Sequence, residues 1–107
     1  MINTTKSRYA KLFVNYVTKN HSDKIDLIMV HGDCINPAIK KPKSIDFAIR
    51  QINNPDEFDY ELIGDLMDYM GSVVDEGDFN ITVICDSLVQ SYREQIEKGE
   101  VIYGQKT

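Results

Sequence analysis

The sequence predicts a small α/β (α+β) domain, a mixed β-sheet flanked by helices, spanning residues 1–107 as a single unit. Three observations predict it. Apolar residues recur at helical spacings of three and four in two long segments. Between and after those segments stand short apolar runs, rich in β-branched residues and bounded by polar or turn residues, which read as buried strands. The two kinds of segment then alternate, so helices pack on a sheet.

Residues 6–19 place Tyr9, Leu12, Phe13, Tyr16 and Val17 on one helical stripe, which Asn20, His21 and Ser22 end. Residues 25–30 form the first strand, emptying into His31-Gly32-Asp33-Cys34, where Gly32 permits a tight turn. Residues 35–43 contain Pro37 and Pro42 and are expected to form an irregular loop with at most a short helix. Residues 44–49 form the second strand. Strand period two puts Ile45, Phe47 and Ile49 on one face and Ser44, Asp46 and Ala48 on the other.

Asn53-Asn54-Pro55-Asp56 is a turn signal. The helix over 59–74 carries Leu62, Ile63, Leu66, Met67, Met70 and Val73 or Val74 on its inner stripe, and Gly77 closes the region. Residues 79–84 make the third strand. The last helix runs over 88–98 with Asp86 as its cap, Gly99 just past its end, and 101–103 as a closing strand or core packing.

Composition bounds the function. With 42% hydrophobic and 27% charged residues among 107, the chain is an ordinary globular domain, large enough for one modest core. A homodimer or partner contact is therefore compatible with its size. A net charge of −5 argues against a surface built for nucleic-acid phosphates. The cluster Lys40, Lys41 and Lys43 reads as a solvated loop. Cys34 and Cys85 show no metal-type spacing and no CxxC pattern, as for reduced thiols of a cytoplasmic protein. No apolar stretch approaches the ~20 residues of a membrane span, so no membrane association is expected.

The run Val30-His31-Gly32-Asp33 and the later element Lys43-Ser44-Ile45-Asp46-Phe47 together resemble minimal nucleotidyltransferases of the DNA-polymerase-β type. That family pairs a Gly-Ser turn after its first strand with an Asp-x-Asp strand and a further Asp on a third strand. The gap from Gly32 to Asp46 matches the family's, and the tract from Gln95 to Tyr103 resembles the close of many small members. The likeness extends over residues 8–103. It implies a catalytic site at Ser44, Asp46 and Asn80, nucleotide binding at Gly32 and Asp33, and Mg²⁺ held by Asp46.

The departures bear on the chemistry. Nucleotidyl transfer needs carboxylates to hold Mg²⁺ against a triphosphate. Here Ser44 and Asn80 stand where acids are expected, so Asp46 alone remains, and Asp33 replaces the serine of the phosphate turn. A carboxylate ~4 Å from a phosphate costs about 1 kcal/mol per charge pair in water and about 4 at an effective dielectric near 20. The resemblance then implies a chain with lost or impaired catalysis, acting as the antitoxin-like partner of a helical HEPN-type protein or as a homodimer. The alternative is an active Mg²⁺-dependent enzyme that moves a nucleoside monophosphate from an NTP to a protein or small-molecule hydroxyl.

Single residues admit two readings each. Asp33 caps the turn after Gly32, or joins Asp46 as a relocated metal ligand with Asp78 or Asp86. Asp78 is otherwise a turn residue. His31 is a packed histidine, or a base or ligand at the strand end. Cys34 is a core thiol or a nucleophile, with no second histidine close in sequence to activate it. Tyr9 and Tyr16 belong to the core stripe.

Overall fold

The computed structural model describes residues 2–52 and 57–106. The Asn53–Asp56 turn expectation lies outside them. Helix α1 (Ser7–Asn20) buries Tyr9, Ala10, Phe13 and Val17, the stripe that its apolar spacing dictates. Lys6, at its N-cap, offers no side-chain cap. Instead the Asn3 carbonyl accepts from the N–H groups of Lys6 and Ser7, each at 3.0 Å.

Four strands follow the alternating plan: β1 (Ile25–His31), β2 (Ser44–Gln51), β3 (Asp78–Val83) and β4 (Glu100–Gly104), with sheet order β3-β2-β1-β4. β1 runs antiparallel to both β2 and β4, while β3 is parallel to β2. A parallel neighbour requires a crossover, and helix α2 (Tyr60–Val73) supplies it. Asp59 caps α2 by accepting from the Leu62 N–H at 3.0 Å.

The sheet's two faces are unequally covered. On one face α1 and α2 pack over Ile28, Val30, Ile45, Phe47 and Ile49, with the Phe13 and Phe47 rings stacked at 4.2 Å. On the other, helix α3 (Gln90–Glu97) packs over the smaller apolar cluster of Leu27, Met29 and Ala48, mainly through Ile96. One eight-residue helix cannot span that face. The β1–β2–β3 end where the site lies is left open.

Several expectations are corrected. Met67 is 41% exposed, rotated off the α2 stripe beside the sheet's β3 edge. The short helix after β1 comes earlier than the expected loop, as a 3₁₀ turn over Gly32–Ile35. α3 starts at Gln90 because Leu88 packs against the second core. Its N-cap is thus Val89, without a side-chain cap, and Asp86 is not the cap. Asp78 is the first residue of β3, not a turn residue. Gly99 does stand just past the end of α3, after the C-cap Lys98, without a positive φ; a Cβ there would approach the Val30 carbonyl oxygen at 2.8 Å, so packing excludes a side chain. Residues 101–103 do form a strand, within β4. Lys40, Lys41 and Lys43 are exposed, as a solvated loop requires.

Two polar clamps tie α1 to the α2 region. Asp65 accepts from the Tyr16 hydroxyl at 2.7 Å and contacts His21 Nε2 at 2.6 Å, while Tyr16 stacks on Tyr69 at 3.9 Å. Asp75 accepts from the Tyr9 hydroxyl and from Arg8 at 2.9 Å. The hydrogen bond from His21 chiefly lowers the Asp65 pKa below its ordinary 3.8, and that from Tyr9 does so for Asp75. A depressed carboxylate stabilises the fold above its unfolded value and loses that contribution as pH falls through the folded one. Stability is therefore expected to drop below about pH 4, measured by urea denaturation across pH. In Asp65→Asn that acid loss shrinks.

Gly77 sits at φ +80, where an added Cβ would run into the Lys43 carbonyl that receives the Asp78 N–H at 2.8 Å. Gly77→Ala should destabilise the domain by about 1–2 kcal/mol or more, since it strains the backbone and the first β2–β3 rung. Gly64→Ala, on α2 with nothing within 4 Å, should stabilise by roughly 0.5–1 kcal/mol. Urea midpoints of the two variants check both signs.

Candidate functional site

Sheet register assembles the site. His31 on β1 lies directly opposite Asp46 on β2, and Asp46 opposite Asn80 on β3. Residues paired across strands share a face, so these three side chains form one row over the open end. Ser44, two residues before Asp46 on the same face, pairs with Asp78. The juxtaposition of Ser44, Asp46 and Asn80 expected from the sequence is present on β2 and β3.

Within the row, Asn80 Nδ2 donates to Asp46 Oδ1 at 2.8 Å. The other carboxylate oxygen lies against Gly32. That residue has φ +78, and an added Cβ would stand 2.6 Å from Asp46 Oδ2. Gly32 is thus required twice, for its left-handed backbone and for the close approach of the carboxylate. Asp33 follows on the 3₁₀ turn and is exposed. It does not cap the turn, whose N-cap is His31 with no side-chain cap bond.

His31 is 2% exposed, and neither ring nitrogen has a hydrogen-bond partner among the described residues. Burial pushes its pKa below 6.5, opposed by the nearby Asp46 carboxylate; the Gln95 side chain and Phe47 backbone stand close, short of hydrogen-bond geometry. A buried imidazole with two unmet positions is unusual.

Above the row opens a cleft of about 360 Å³, lined by His31, Asp46 and Asn80 together with Thr82, Tyr92 and Gln95. The last three were not among the residues singled out from sequence. Thr82 was accessible through strand period, two residues beyond Asn80 on one face. Tyr92 and Gln95, three apart on α3, carry no motif and enter the site only through the packing of that helix.

Cys34 is 1% exposed, and burial raises its thiol pKa, which disfavours the thiolate that a nucleophile needs. It is a core residue. Tyr9 is likewise buried. Tyr16 is partly buried and packs against the core.

The cleft is a lean donor set for Mg²⁺. That ion demands hard oxygen ligands, one or two of them carboxylates, in near-octahedral array. Asp46 is the cleft's single carboxylate, and one of its oxygens already accepts from Asn80. Among the described residues no three His, Cys, Asp or Glu side chains converge as metal ligands. No helix of the described residues is long and apolar enough to cross a membrane.

Comparison of the chain with protein-family models, with curated proteins and with solved structures gives no match in any of the three.

The environment of His31 makes a direct prediction. Its ring should be neutral at pH 7 and titrate below 6.5, followed by the ring-proton shifts in NMR. Asp46→Asn removes the opposing charge and should lower that pKa further. A folded-state pKa below the unfolded one means that this group withdraws stability as pH falls from 6.5 through the folded value. A titration at or above 6.5 would contradict the buried, unpartnered ring.

Proposed function

We propose that this chain is a nucleotidyltransferase-like protein without transferase activity, acting as the binding partner of another protein in the manner of an antitoxin. The observation that carries the reading is the Asn80–Asp46 hydrogen bond. At the place where a second acid would share a cation with Asp46, an amide satisfies the carboxylate directly. The site then lacks the charge repulsion that an acid pair would carry and that a cation would relieve.

Its surroundings suit protein contact. Tyr92 and Met67, at 47% and 41% exposure, flank the cleft beside β3, the strand on the outer edge of the sheet. Exposed aromatic and methionine side chains at the rim of a polar cleft are the composition of interface cores. A helical HEPN-type protein is the partner that the family resemblance suggests, with a second copy of this chain as the other candidate.

Calorimetric titration with ATP and GTP, with and without Mg²⁺, beside a labelled-transfer assay, tests the reading. No Mg²⁺-dependent binding and no transfer are expected. Micromolar Mg²⁺-dependent binding, with transfer abolished in Asp46→Ala, would establish the enzyme reading instead. The triple variant Asp33→Ser, Ser44→Asp and Asn80→Asp should gain Mg²⁺–nucleotide binding if the site is a decayed transferase. Failure to gain it would break the correspondence with the family.

A further inference from the structure

We propose that the His31–Asp46–Asn80 cleft receives a guanidinium group, presented by an arginine side chain of the protein partner. The inference rests on the reading of this site as a protein-binding one and adds the chemistry that the site recognises.

The polarity of the cleft is one-sided. Its lining holds one carboxylate, Asp46, and no lysine or arginine, so its field disfavours phosphates and favours cations. Asn80 spends an amide N–H on Asp46 Oδ1, which leaves its own exposed Oδ1 as an acceptor, while the second Asp46 oxygen lies toward Gly32. Neutral His31 adds one acceptor nitrogen, unmet and buried. Thr82 and Gln95 contribute further oxygens. The array thus accepts more than it donates, around a single negative charge.

A guanidinium answers each of these features. It is a planar cation with five N–H donors and no acceptor, and it pairs with a carboxylate while donating to neighbouring oxygens. Its weak hydration and flat face suit the exposed Tyr92 ring at the cleft wall, over which a cation is attracted by the ring's quadrupole. An ammonium is a point charge that donates to fewer groups and stacks less well. The volume of about 360 Å³ accommodates such a group with part of its aliphatic stem.

The test is an NMR titration of the ¹⁵N-labelled chain with the peptides acetyl-Ala-Arg-Ala-amide and acetyl-Ala-Lys-Ala-amide and with agmatine. Saturable shifts at His31, Asn80, Thr82 and Gln95 are expected with the arginine peptide, at millimolar affinity, and several-fold weaker with the lysine peptide. Agmatine binding as tightly as the peptide would mean that a free guanidinium metabolite, not a protein side chain, is the ligand, and would overturn the assignment to a partner. Asp46→Asn should weaken the arginine peptide about tenfold or more, the loss of a charge-assisted pair.

Tyr92→Ala, at an exposed position where folding is not at stake, should weaken it about threefold. Absence of saturable shifts at these residues, or equal response to the lysine peptide, would overturn the proposal. That failure is distinct from Mg²⁺–nucleotide binding, which would overturn the protein-binding reading itself.

Discussion

Strand β2 is held in one register by two demands on its opposite faces. Ile45, Phe47 and Ile49 are fully buried beneath α1 and α2, with Phe47 stacked on Phe13. Asp46 and Ser44 stand on the other face, outside the apolar cluster that Ile96 of α3 covers. A slip of one residue would carry Asp46 into the main core and Phe47 into the open cleft. Burying an unpaired carboxylate costs several kcal/mol, and exposing Phe47 forfeits roughly 1.5–3 kcal/mol of burial. The core therefore fixes where the polar row lies, and the row needs no other device to assemble it.

From that register the rest follows by neighbour relations. β1 must present His31 at its last position to meet Asp46, and the chain must then turn away without a side chain, which Gly32 allows. β3 must run parallel to β2 to place Asn80 beside Asp46, which obliges the α2 crossover. Gly77 admits the chain to that strand at φ +80. The unequal covering of the two faces then decides which residues become a site. The same sheet under two helices is a core, and under a single short helix it is a cleft floor.

Most of this frame was legible in the sequence because it depends on local periodicity. The α1 stripe, the alternation of β2 and the pairing of Ser44 and Asp46 on one face are read from spacing alone. Long-range packing was not legible. Met67 fits the α2 stripe by spacing yet faces solvent at the edge of the sheet. Asp86 has the chemistry of a cap, but α3 is placed by the burial of Leu88 and Ile96 and begins farther on. The cleft wall from Tyr92 and Gln95 depends wholly on where α3 docks, and His31 becomes a buried orphan only once β4 and α3 close around β1.

The pairing of Asp46 with Asn80 ties the fold to the site's chemistry. Two carboxylates at this cross-strand distance would repel by about 1 kcal/mol in water and about 4 at an effective dielectric near 20, a cost relieved by a shared proton or a bound cation. An amide in the second position replaces that repulsion with a hydrogen bond worth about 1 kcal/mol or more. The Asn80 amide then meets one oxygen of Asp46, the other lies against Gly32, and the buried His31 imidazole has no partner among the described residues. Aspartate and asparagine at this position differ by one atom. That atom, the Asn80 nitrogen, makes the cross-strand pairing with Asp46 a hydrogen bond rather than a repulsion.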